Sequence, residues 1–382
     1  MIADFLQPVD FKLIAELSRL NKNCIGNHLT IHANDEFPLL DNVDVAFIGI
    51  LDQRGSGSEE ELNLEQLRLA LYKLFQGDWD LKMIDLGDIR KGASQNDTYY
   101  AVQQLTYTLQ EYGIKGVFLS GSQDMTFPIY SAYQLRKKLI NLVNIDYRFD
   151  LDSYEDIVSA NTFVSKMIMQ EPVVLNDYTV LGHQSYFVSQ ESLDLMQAMY
   201  FEAIRLGDIS HQMISTEPKL RYAEVVSIDM NAVESSYSAN FKTFTPNGFT
   251  GKEICALSRY AGLGINQAYL GLFNHHATTN ESQLIAQIIW YYLDGLSQRI
   301  IEYPLENINN FIKYIVPIDD DEFVFYKSKR TERWWIEIKK INEPYNKENI
   351  MSLLACAEAD YLCACNQEIP NIWLKNQRKY MN

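Results

Sequence analysis

The sequence predicts a three-layer α/β/α protein, with a mostly parallel sheet between two layers of helices. Two observations carry this. Short apolar runs recur along the chain with amphipathic helical patterns between them, in the order βαβα. The runs are also apolar throughout rather than alternating, as expected of strands covered on both faces.

The strands are expected at 43–50 (VDVAFIGI), 80–86, 114–120, 141–146, 178–183, 223–229 and 267–273, each bounded by Gly, Asp or Asn. They predict a sheet of roughly seven or eight strands. Asp97 reads as the N-cap of a helix ending near Gly113. Thr250 and Glu253 read as a capping box. Residues 282–298 repeat apolar side chains at helical spacing, with Leu284, Ile285, Ile288, Ile289 and Tyr292.

The strand pattern ends near residue 300. The expected division is a helical lead-in over 1–40, a main domain over 41–300 and a C-terminal extension over 301–382. The extension contains EFVFYKSKRTERWWIEI, then a charged linker and a terminal helix. Phe323, Phe325, Tyr326, Trp334 and Trp335 are too many aromatics to leave in water. Burial against the main domain or a neighbouring subunit is expected. The sequence shows no internal repeat or low-complexity tract.

The 382 residues are 47% hydrophobic, enough for a full core, and carry a formal net charge of −17. That field opposes a nucleic-acid partner. The N-terminal segment mixes acidic and apolar residues and does not read as a secretion signal, and no run has the length of a membrane span. Five scattered cysteines (Cys24, Cys255, Cys356, Cys363, Cys365) fit reduced thiols in a cytoplasm. Cys356 to Cys365 lies in an Ala/Leu-rich segment, so small core residues are expected there rather than metal ligands.

In an open parallel sheet, sites form beyond the carboxyl ends of strands. Three such ends are rich in carboxylates and amides: Ser122-Gln123-Asp124, Asp146-Tyr147-Arg148-Phe149-Asp150, and Asp229-Met230-Asn231. Isolated Asp residues routinely cap turns, whereas three converging clusters would repel one another without a cation. The cation is either a divalent metal suited to oxygen ligands or the guanidinium of Arg148.

These ends, read as SGSQD, DYRFD and SIDMN, resemble in order the metal motifs of the ureohydrolases, the family of arginase, agmatinase and formimidoylglutamase. AFIGILDQRG, MIDLGDI and PNGFTGKE also resemble that family's fragments, over about residues 40–300. The pattern is most similar to a divergent formimidoylglutamase-like group of Bacteroidetes-type bacteria, which shares the GSQD motif and a stretch like VFYKSKRTERWW.

The resemblance implies an arginase-like fold and two manganese ions. It places the first metal at Gln123, Asp146, Asp150 and Asp229, and the second at Asp146, Arg148, Asp229 and Asn231. Two imidazoles of the family are here an amide and a guanidinium, and one carboxylate is an amide. Asn274 stands near the substrate-orienting Glu, with His275 and His276 beside it and His183 at another strand end.

Three functional expectations follow. One is a metal-free scaffold for binding, assembly or regulation, in which Arg148 pairs with Asp146, Asp150 or Asp229. Another is a hydrolase of linear amidine or guanidine C–N bonds with one Mn or Mg held by Gln123, Asp146, Asp150 and Asp229. The third is a formimidoylglutamase that recruits His183, His275 or His276. An ordinary two-manganese centre is not expected. A homo-oligomer, and in the scaffold reading a protein partner, are expected; nucleic acid and membrane are not.

Overall fold

The computed structural model describes residues 2–34, 36–153, 158–340 and 350–381. Ten strands form the main sheet: β1 (Leu6–Gln7), β2 (Leu29–Ile31), β3 (Val45–Ile50), β4 (Met83–Ile89), β5 (Lys115–Ser120), β6 (Ile140–Ile145), β7 (Leu175–His183), β8 (Glu202–Arg205), β9 (Val225–Asp229) and β10 (Tyr269–Phe273). Their order is β1-β4-β3-β5-β10-β9-β6-β7-β8, with β2 beside β4. Every pairing is parallel except β1 with β4.

All seven apolar runs are strands. The sheet exceeds the expected size because β1, β2 and β8 span only two to four residues, too short to show a pattern. One apolar cluster packs on each face of the sheet.

The helix Gln95–Tyr112 corrects one expectation. Its N-cap is Ser94, and Asp97 sits three residues in, accepting the Ser94 N–H at 2.7 Å while Ser94 Oγ accepts the Asp97 N–H at 3.2 Å. A reciprocal box satisfies two end groups where Asp97 alone would satisfy one. Gly113 closes the helix with φ 70°, a conformation that costs glycine little. The Thr250–Glu253 box is formed as expected, before the helix Gly251–Leu263.

The chain beyond 300 is richer in strands than its pattern indicated. It forms an antiparallel sheet of β11 (Phe311–Ile318), β12 (Asp321–Ser328), β13 (Trp334–Lys340) and β14 (Ile350–Cys356), followed by helices Glu358–Cys365 and Asn371–Met381. The charged linker falls mainly on 341–349, outside the described residues. Phe323, Phe325, Tyr326, Trp334 and Trp335 are buried. Strand alternation divides them: Phe323, Phe325 and Trp334 pack toward Tyr361 and Trp373 of the extension's own helices, whereas Tyr326 and Trp335 take the other face.

Trp335 ties the small sheet to the end of the main-domain helix Glu217–Arg221. Its Nε1 donates to Tyr222 Oη at 2.8 Å, and the Arg221 guanidinium lies 4.6 Å from its ring centroid. Cys356 is buried, but Cys363 is half-buried and Cys365 exposed, because their helix covers the small sheet with one face only. No helix among the described residues is long and apolar enough to cross a membrane.

Candidate active site

Four neighbouring strands, β5, β10, β9 and β6, deliver Gln123, Asn274, Asp229 and Asp146 to one edge. Adjacent strands lie about 4.8 Å apart, so these side chains meet without long excursions. Gln123 Nε2 donates to Asp146 Oδ2 at 3.0 Å and to Ser227 Oγ at 3.2 Å. Asp146 Oδ1 accepts the Arg148 backbone N–H at 3.1 Å. Arg148 then pairs with Asp150, Nε to Oδ1 at 3.0 Å, rather than with Asp146 or Asp229. Its Nη2 donates to Asn161 Oδ1, and its guanidinium lies 5.2 Å from the Tyr147 ring centroid.

The turn at Asp150 has φ 52° and that at Asn274 φ 56°. Asp and Asn tolerate this left-handed region better than other residues with a Cβ. Asp229 Oδ1 accepts the Asn231 N–H at 2.7 Å, while the Asn231 side chain accepts from Asn240 Nδ2 at 3.1 Å. Asn231 is therefore committed to the following loop as well as to Asp229.

Burial dominates the electrostatics. Asp146, Asp150 and Asp229 are at most 3% exposed. Desolvation, then the charge of Asp150, pushes Asp146 well above the usual carboxylate range. Desolvation likewise raises Asp150 to about 7 although Arg148 opposes it, and with Asp146 it raises Asp229 to about 8. Burial works against the Arg148 charge, but Asp150, Tyr147, Asp146 and Asp229 together outweigh it and strengthen proton binding. One cation thus serves three crowded carboxyls. Asp150 and Asp229 each bury Oδ2 without a hydrogen-bond donor.

The three histidines stand apart: among the described residues, no ion pair joins them to these carboxylates. His183, at the end of β7, packs against the Phe149 ring at 5.1 Å. His275 is fully buried, and desolvation lowers it to about 3. His276 is half-buried, and its backbone N–H donates to Glu281 Oε2 at 2.8 Å.

Two further buried carboxylates lie beside the cluster: Asp124, from the first of the three strand ends, and Asp52, which the sequence reading did not single out. Asp52 pairs with Arg54 at 2.5 Å and accepts from Thr98 Oγ1 at 2.6 Å. Asp124 accepts from Tyr99 Oη at 2.5 Å, Gln95 Nε2 at 3.0 Å and Ser122 Oγ. The Asp-x-Arg spacing of Asp52 and Arg54 was the available signal.

An α/β fold whose motif residues gather at the carboxyl ends of adjacent parallel strands is that of the arginase-like hydrolases. The arginase-family sequence profile matches residues 59–269, more than half of the chain, and the chain belongs to that family. Solved structures agree in fold. Formimidoylglutamase from Bacillus subtilis subsp. subtilis str. 168 superposes with a TM-score of 0.64 at 15% identity, covering 73% of this chain and 93% of that one. Trypanosoma cruzi formiminoglutamase with Mn2+ gives 0.60 at 14%, covering 68% and 95%. A hypothetical agmatinase from Burkholderia thailandensis gives 0.58 at 16%, covering 69% and 89%. No curated protein sequence matches the chain.

Proposed function

We propose that this arginase-family protein uses its fold for binding, assembly or regulation rather than for ordinary two-manganese hydrolysis. The observation that carries the reading is the Arg148–Asp150 ion pair at 3.0 Å. A guanidinium has no lone pair to give a metal. Its charge also opposes a divalent ion at close range by several kcal/mol, on the order of the interaction at an effective dielectric near 20.

A two-manganese centre does not fit these donors. Arg148 stands where the resemblance puts an imidazole. Gln123 turns its NH2 toward Asp146, so the amide acts there as a donor rather than a ligand. Asn231 brings no charge. In this reading the protein is a cytoplasmic homo-oligomer, residues 301–382 are an appended module on the domain at 41–300, and a protein partner uses the assembly.

One observation favours a second reading. The donorless oxygens of Asp150 and Asp229 suit a single hard cation, Mn or Mg, which Asp146, Asp150 and Asp229 would hold. Such an ion supplies Lewis acidity when bound. The chain would then be an altered hydrolase of a linear amidine or guanidine, of the formiminoglutamate type. Among the described residues, His183, His275 and His276 form no ion pair with the carboxylates that would support their recruitment.

Metal analysis of the purified native protein, with assays on formiminoglutamate, agmatine and arginine, separates the readings. No metal and no turnover is the expected result. One ion per chain with turnover favours the altered hydrolase. Two manganese ions with an ordinary enzymatic rate sink both.

A further inference from the structure

We propose that the crevice between the main domain and the C-terminal sheet binds a small organic carboxylate. The crevice has a volume of about 440 Å³, within the usual range of small-molecule sites. Pro218, Tyr260 and Leu263 line it from the main domain; Trp334 and Leu362 line it from the extension.

Its charged lining is unbalanced inside. Arg333 is 9% exposed in its side chain and pairs through Nε with Glu217 Oε1 at 2.9 Å. Its Nη2 donates to Leu263 O at 3.0 Å, but its buried Nη1 has no acceptor. Glu217 is also paired with Arg221 at 2.5 Å. One carboxylate therefore serves two guanidiniums. Burial, aided by repulsion from Arg221, lowers the proton affinity of Arg333 despite Glu217. An incoming anion relieves that imbalance.

A second feature points the same way. The helix Glu358–Cys365 begins at the crevice, which Ala357, Glu358 and Ala359 line. Asp360 Oδ2 accepts the Ala357 N–H at 2.8 Å, but Ala357 has no side-chain acceptor for the N–H groups of Glu358 and Ala359, and a helix N-terminus favours negative charge. Lys327 stands at the rim, 3.8 Å from Glu358. The carboxylates of Glu332 and Glu358 also line the crevice, so a singly charged anion suits it better than a phosphate dianion. The apolar walls suit an organic body.

Isothermal titration calorimetry on the full chain, with benzoate and inorganic phosphate as probes, tests this. Saturable benzoate binding is expected, weakened about tenfold or more by Arg333→Gln through loss of a charge-assisted contact. Because that variant also removes an ion pair, Ala359→Phe serves as the second test. It fills the crevice and leaves the Arg221–Glu217–Arg333 network intact, and it should abolish binding without lowering the unfolding midpoint. Absence of benzoate binding, unchanged binding in Ala359→Phe, or binding of phosphate alone overturns the proposal.

Discussion

Asn274 grips Gln123 at two points: its Oδ1 accepts the Gln123 backbone N–H at 3.0 Å, and its Nδ2 donates to Gln123 Oε1 at 3.3 Å. The ends of β10 and β5 are thereby fixed, and the Gln123 NH2 is aimed at Asp146. Asn274→Asp keeps the first bond and sets two acceptors face to face in the second. The expected loss is about 1–3 kcal/mol at pH 7, the scale for an unmatched buried polar group. Urea denaturation should show a smaller loss near pH 5, where the introduced carboxyl takes up a proton and regains a donor. Equal losses at both pH values would contradict this orienting role.

Arg148→Ala leaves Asp150 buried without its ion partner. The expected destabilisation is about 3 kcal/mol, the lower end for breaking a buried pair, because Arg148 is partly open to solvent. Millimolar Mn or Mg should recover part of it by binding the folded state alone. Denaturation with EDTA and with added metal measures both effects. A variant as stable as the parent in EDTA shows that the pair contributes nothing.

The triple change Gln123→His, Arg148→His and Asn231→Asp should create metal affinity. The carboxylate introduced at position 231 retains an acceptor for Asn240 Nδ2, so the loop that Asn231 anchors stays in place. Restored ligands should raise manganese content toward two ions per chain, read by metal analysis after dialysis. Turnover does not follow automatically, because Asn274 remains in place of a carboxylate. A triple variant that folds and stays metal-free argues that the strand ends no longer frame the family's centre.

Docking of the last helix should be acid-sensitive. Burial by itself raises Glu202, but Lys219 and Lys375 outweigh it and hold the carboxyl at about 2, below the ordinary 4.5. A depressed carboxylate contributes stability that is complete above its unfolded value and vanishes as pH falls through the folded one. The contribution, about 2–3 kcal/mol, should therefore fade between about pH 4.5 and 2. Glu202→Gln should flatten that part of the stability profile in urea titrations. An unchanged acid slope in the variant places the sensitivity elsewhere.

The sequence was most legible where strands run through the centre. Strands such as β3 and β5, which send Phe47 and Val117 to one face and Ile48 and Phe118 to the other, need apolar cover on both faces, and the pattern states this directly. The extension was harder. Alternation in β12 and β13 separates Phe325 and Ile336 from Tyr326 and Trp335, but both faces are covered in part, so the period of two is masked by aromatic density. At the strand ends, residue types indicated which groups meet, not which pairs form. The choice of Asp150 by Arg148 depends on a left-handed turn at Asp150, which no local pattern announces. The histidine at 275 belongs to the packed strand end and is fully buried.

The position of β10 between β5 and β9 also sets an order on synthesis. As the nascent chain leaves the ribosome, β1 to β5 and β6 to β9 can pair only within two separate half-sheets, each with an unfilled edge. Gln123 rides on one half and Asp146, Arg148 and Asp229 on the other. Residues 269–273 are the bolt that joins them. A ribosome stalled before that segment therefore holds two open templates and no assembled cleft, a state in which chaperone protection of bare edges matters more than at any later point.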